Sequence, residues 1–93
     1  MIIFVSEHSP HPDKEGLLID SMHRYCEAAR KQKGLLDVYT LKDEKTGKLF
    51  GLAIWESEED YQAARPALAK ATEGDDFDSW EKEPVKGYRL RPI

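Results

Sequence analysis

The stretch LFGLAIWESEEDYQAAR, Leu49 to Arg65, begins as a strand and ends as a helix. Its first seven residues alternate, with Phe50, Leu52 and Ile54 pointing one way and Leu49, Gly51, Ala53 and Trp55 the other. Both sets are apolar, so this strand has two faces to cover. Ser57 then reads as an N-cap with Asp60 three residues on, a variant of the capping box, and a helix begins at Glu58. Trp55 and Tyr61 therefore stand on either side of one tight turn. Each wants a buried ring and a satisfied polar atom, a demand met equally by the wall of a binding cleft and by a wet core edge.

The flanking segments complete a fold. LLDVYTLKD (Leu35–Asp43) and KLFGLAIW (Lys48–Trp55) are strand patterns joined by EKTG, whose Gly47 suits a position of positive φ; they form a hairpin. Upstream, IIFVSEH (Ile2–His8) is a strand running toward a polar rim, and SPHPD ends it with two prolines. Asp13 is placed to cap a helix from Lys14 to about Lys33, with Leu18, Met22, Tyr25 and Ala29 at helical spacing, Leu17 and Cys26 widening the stripe, and Gly34 as the left-handed stop. Pro66 lies too deep in the second helix to pass without a break, which predicts two pieces, about Glu58–Ala64 and Pro66–Thr72. EGDDFDSWEKEP (Glu73–Pro84) reads as an acidic loop and VKGYRLRPI (Val85–Ile93) as a final strand.

The order strand, helix, strand, strand, helix, strand predicts an α+β domain of the ferredoxin-like, split βαβ type: a four-stranded antiparallel sheet with its helices on one face. Two helices cover one side of such a sheet. The other, carrying Phe50, Leu52 and Ile54, is left as an apolar patch, and the expectation is a homodimer that buries two such faces against each other. A chain of 93 residues also has a thin core, which makes association more favourable.

Composition narrows the partners. Lys and Arg number 14 against 18 Asp and Glu, a net charge of −4 with the cations scattered, so nucleic acid is not an expected partner. No apolar run approaches the ~20 residues of a membrane span, and none resembles a signal peptide; with a single cysteine, Cys26, the expected location is cytoplasmic and the expected state of that thiol is reduced and packed.

Candidate chemistry is sparse. His8 ends the first strand, and if Ile2, Phe4, Ser6 and His8 share the helix-covered face, His8 points into any cleft there. His23 lies one step off the apolar stripe of the first helix, and His11 sits between prolines. The three histidines lack metal-ligand spacing, the six glycines stand alone rather than forming a phosphate loop, and no serine sits in a nucleophile elbow. Asp75, Asp76 and Asp78 have the look of half a calcium loop without its remaining ligands, and read as a solvated acidic loop.

The element order, IWESEEDYQAA (Ile54–Ala64) and the turn into the hairpin, KGLLDVYTLKD (Lys33–Asp43), resemble the antibiotic biosynthesis monooxygenase superfamily of dimeric α+β barrels. The resemblance spans nearly the whole chain. It implies a cleft between sheet and helices in which Trp55 and Tyr61 match the Trp and Tyr that line the substrate site of the cofactor-free monooxygenases. The Asn and Arg of those enzymes fall at Gly51 and Asp75. The axial His of the heme-degrading branch falls at Arg65, the strand-one Asn is absent from VSEHS, and the helix-two His of quinol-oxidising members has no counterpart. The site expected on this basis has His8 or His23 as base and Tyr61 as hydrogen-bonding group, with Trp55, Tyr25, Arg65 and Trp80 around a small aromatic, phenolic or quinol substrate, and neither metal nor cofactor. The alternative is a non-catalytic dimeric module that binds a small apolar ligand or serves another enzyme.

Overall fold

The computed structural model describes residues 1–93. Strand β1 (Ile2–His8) leads through a 3-10 turn (Pro12–Lys14) into α1 (Glu15–Arg30); β2 (Leu35–Lys42) and β3 (Leu49–Trp55) form the hairpin; α2 (Glu58–Ala71), a short α3 (Phe77–Trp80) and β4 (Lys86–Leu90) complete the chain. The sheet order is β2-β3-β1-β4 with every pair antiparallel. This is the anticipated α+β, ferredoxin-like arrangement.

Glycines and caps fix its corners. Gly34 (φ +88°) and Gly47 (φ +76°) take the left-handed conformation expected of them. Gly34 has a second reason to lack a side chain, because a Cβ there would fall 2.2 Å from Oδ2 of Asp60. Asp60 in turn donates its backbone N–H to Ser57 Oγ at 3.1 Å, the cap read from the sequence; such a cap contributes about 1 kcal/mol.

Three local expectations are corrected. Asp13 does not cap α1: Pro12, with its fixed φ, opens a 3-10 turn closed by Lys14 N–H on His11 O at 2.9 Å, and Lys14 becomes the N-cap with no side-chain bond. Pro66 does not split the second helix, which runs unbroken from Glu58 to Ala71. Pro66 and Gln62, whose carbonyl the missing N–H would have met, are both exposed, so solvent can serve the orphaned acceptor. The acidic loop is not structureless either, since Asp76 caps α3 by accepting from Ser79 N–H at 3.3 Å.

The two faces of β3 differ as its alternation requires. Leu49, Ala53 and Trp55 are buried under the helices, whereas Phe50, Leu52 and Ile54 are only half-buried. Cross-strand rows on the open side run Ile54–Ile3–Leu90 and Tyr39–Leu52–Val5–Tyr88, with Leu41 beside Phe50. Tyr39, Leu41, Tyr88 and Leu90 at the two edges of this face are exposed. Beneath the helices the core forms two clusters: Ile2, Cys26, Ala29, Val38, Ala53, Trp55, Ala64 and Leu68 at one end, and Leu18, Met22 and Leu49 at the other. A cavity lies between them.

Candidate active site

The cavity, about 570 Å³, takes its apolar wall from Phe4, Met22, Tyr25, Val38, Ala53 and Phe77 and its polar wall from Ser6, His8, Ser21, Thr40 and Thr72. Two glycines make room for it. In the sheet Ser6 faces Gly51 on β3 and Gly87 on β4, so no side chain stands to either side of the serine on the helix-covered face. A Cβ on Gly51 would meet Ser6 Oγ at 2.7 Å and Met22 Cε at 3.6 Å.

Ser6 and His8, two residues apart on β1, share this face, as the strand-parity reading allowed. His8 is buried; its Nε2 lies 2.8 Å from Ser6 Oγ and its Nδ1 lies 2.9 Å from Oε2 of buried Glu81. Glu81 is held over the histidine by a zipper between the segments following β1 and α3: His11 N–H to Trp80 O at 2.9 Å, Lys82 N–H to Ser9 O at 2.8 Å, and Ser9 N–H to the other Glu81 carboxylate oxygen at 2.9 Å. An ionised carboxylate only accepts, so this geometry assigns the imidazole proton to Nδ1. In the neutral imidazole Nε2 then accepts from the Ser6 hydroxyl, leaving the serine oxygen to present lone pairs to the cavity. The chain Glu81–His8–Ser6 is thus a proton acceptor whose outer end is a hydroxyl.

The remaining residues singled out in the sequence divide sharply. Tyr25 is on the cavity wall, and burial, with Tyr61 nearby, pushes its hydroxyl up to about 12, so it stays a neutral O–H donor. Trp55 and Tyr61 do not line the cavity. Trp55 is fully buried with its Nε1 unpaired, and Tyr61 packs edge-on against it with ring centroids 5.8 Å apart. The cause is Phe4, whose ring stacks on Tyr61 at 4.1 Å; Phe4 is on the cavity wall and stands between the pair and the open space. His23 is exposed on α1, and Arg65 is exposed on α2, bonded to Gln62 Oε1 at 3.2 Å; neither reaches the cavity wall. Trp80 supports the site from behind, edge-on to Phe77 at 5.6 Å. Cys26 is buried and free, 3.5 Å from Thr40 Oγ1.

Asp75 is neither solvated nor part of a cation site. It accepts from Ser21 Oγ at 2.6 Å and from Arg24 Nη2 at 3.0 Å, while Arg24 Nη1 donates to Ala71 O at 2.8 Å, so the cluster ties α1 to the end of α2. Burial would raise the Asp75 carboxyl, but bonds from Ser21 and Arg24 and the charge of Arg24 hold it below its ordinary value. No group of three or more His, Cys, Asp or Glu is placed to hold a metal ion, and no helix is long and apolar enough to cross a membrane.

Sequence reading missed Ser6 and Glu81 as site residues. Ser6 had a signal, since S-x-H on a strand puts both side chains on one face. Glu81 had none, being brought to His8 by loop pairing across 73 positions.

No family model matches this chain, and no curated protein does. Solved structures match over its whole length. Rv0793 from Mycobacterium tuberculosis is 16% identical, with 99% of this chain and 94% of that one covered at a TM-score of 0.85. A Deinococcus radiodurans protein named for antibiotic biosynthesis monooxygenases is 14% identical, at coverages of 100% and 93% and a TM-score of 0.82. SnoaB from Streptomyces nogalater, a cofactor-independent oxygenase solved as its N63A mutant, is 13% identical, at coverages of 98% and 91% and a TM-score of 0.78. At these identities the likeness is one of fold.

Proposed function

We propose that this chain, whose fold is that of the antibiotic biosynthesis monooxygenases, is a cofactor-independent monooxygenase acting on a small phenol or quinol held between sheet and helices. The observation that carries the reading is the Glu81–His8–Ser6 chain, buried at Glu81 and His8 and ending in an otherwise largely apolar cavity. Triplet oxygen reacts slowly with closed-shell organic molecules, but an electron-rich phenolate can pass it one electron directly. What the protein must supply is a place for the ring, a base for the phenolic proton and exclusion of bulk water.

In this mechanism the phenol donates to Ser6 Oγ as the serine proton passes to His8 Nε2. Glu81 stabilises the resulting imidazolium, as a carboxylate on Nδ1 does in other acid–base sites. The phenolate transfers an electron to oxygen, the radical pair combines into a carbon–oxygen bond, and loss of water leaves a quinone: one oxygen atom enters the product and the other leaves as water. Tyr25 offers a neutral hydroxyl to a carbonyl of the ring.

The reading includes a homodimer joined through the open sheet faces and a cytoplasmic location. The first is supported by the contiguous rows of Ile3, Val5, Leu52, Ile54, Tyr88 and Leu90, and the second by the single free cysteine. A second reading, a ligand-binding module without turnover, is favoured by the packing of Trp55 and Tyr61 away from the cavity. An oxygen electrode with a panel of phenols and hydroquinones separates the two. Uptake above the protein-free blank supports oxygenation; binding of the same compounds without uptake supports the module.

A further inference from the structure

Ser6 is set apart from an ordinary strand serine by its clearing and by its base. Cross-strand neighbours normally shield a side chain in mid-sheet, yet both partners of Ser6 are glycine, and the hydroxyl opens onto the cavity. Its oxygen lies 2.8 Å from His8 Nε2, which in the neutral imidazole accepts its proton, and that imidazole is oriented by a buried carboxylate at 2.9 Å. A hydroxyl, a neutral imidazole and a carboxylate bonded in this order raise the nucleophilicity of the hydroxyl oxygen whatever fold carries them.

We propose that Ser6 is a nucleophile, activated by His8 and Glu81, and that the chain catalyses acyl transfer from small, largely apolar carboxylic esters that fit the cavity. Ser6 Oγ forms a bond to the ester carbonyl carbon while its proton moves to His8 Nε2. Collapse of the tetrahedral adduct breaks the bond to the leaving alcohol, which takes the proton from His8, and the acyl group remains on Ser6. Water then attacks the acyl-serine, giving a proton to His8 that returns to Ser6 as the carboxylic acid leaves. Tyr25, a neutral O–H that also lines the cavity, is the donor available to the developing oxyanion. No oxygen and no redox change is involved, so this activity stands or falls separately from the oxygenation.

The test is intact and peptide mass spectrometry of the full chain after incubation with an alkyl fluorophosphonate, alongside hydrolysis of 4-nitrophenyl butyrate. The expected result is one adduct per chain, on the peptide Met1–Lys14 at Ser6, with release of nitrophenol. Ser6→Ala should abolish both, and Glu81→Gln, which keeps the shape and loses the charge, should slow both by on the order of 100-fold or more. Folded wild-type protein that stays unlabelled overturns the proposal, and so does labelling that proceeds equally fast in His8→Gln. The wild-type labelling site decides the matter even if a variant fails to fold.

Discussion

His8 Nδ1 lies 2.9 Å from Oε2 of Glu81, with 7% exposure on each residue and 73 positions of chain between them. The contact orients the imidazole toward Ser6 on the cavity wall. It also couples stability to the site. Glu81→Ala would leave a buried imidazole and the Ser9 N–H without their acceptor, at an expected cost of about 2 to 3 kcal/mol, while Glu81→Gln retains an acceptor and should cost less. Urea unfolding of both variants checks this; equal losses would mean that an amide oxygen cannot stand in for the carboxylate as acceptor, contrary to this expectation.

The clearing around Ser6 depends on Gly51. A Cβ at that position meets the end of a rotatable side chain, Ser6 Oγ at 2.7 Å, rather than backbone. Gly51→Ala should therefore cost little stability, under about 1 kcal/mol, but turn Ser6 off His8 and weaken ligand binding. Combined with Ser6→Ala the stability loss should shrink, since the clashing atom is gone. Additive losses in the double-mutant cycle would contradict this account.

Trp55 is fully buried beneath the helices. Trp55→Ala should destabilise the protein by about 3 to 5 kcal/mol. Tyr61→Phe keeps the ring stacked on Phe4 and should leave stability nearly unchanged. Ligand affinity measured on the folded fraction is expected to move little in either, because neither side chain is on the cavity wall.

Tyr25 supplies a pH signature. Burial raises its hydroxyl to about 12, so the folded state holds a proton that the unfolded chain releases near 10. Its contribution to stability is complete below pH 10 and is lost as pH rises from about 10 to 12. An ultraviolet titration of the four tyrosines should show a late signal that shrinks in Tyr25→Phe, what is left coming from Tyr39, whose bond to Asp37 also raises it, and the variant should lose less stability over the same interval.

The open sheet face bears on assembly. Ile3, Val5, Leu52, Ile54, Tyr88 and Leu90 make adjoining rows with no helix above them. Light scattering at micromolar concentration should give twice 10.7 kDa, and Leu52→Lys, at the centre of that face, should shift the mass toward the single chain. A wild-type mass of one chain would remove the dimer.

Much of the fold was legible because two periodicities differ: alternation in Leu49–Trp55 and helical spacing in Leu18, Met22 and Ala29 each identify an element and its buried side. Pro66 misled because a helix can accommodate a proline on its solvent face, where the i−4 carbonyl is free to tilt away from the ring toward water. The site was half legible. Strand parity allowed His8 a place on this face without fixing it, and its partner Glu81 depends on loop pairing that no local pattern encodes. Trp55 and Tyr61 looked like cleft residues because amphipathic rings suit either place; what excludes them is the position of Phe4, a fact of packing.

In the proposed mechanism, proton removal in this cavity belongs to His8 acting through Ser6, not to Tyr61. Oxygen uptake with the best hydroquinone or phenol, compared between wild type, His8→Gln and Tyr61→Phe, tests it most directly. The expected result is a fall on the order of 100-fold for His8→Gln and a rate close to wild type for Tyr61→Phe. A His8→Gln enzyme that retains its rate while Tyr61→Phe loses it would place the base at Tyr61 instead.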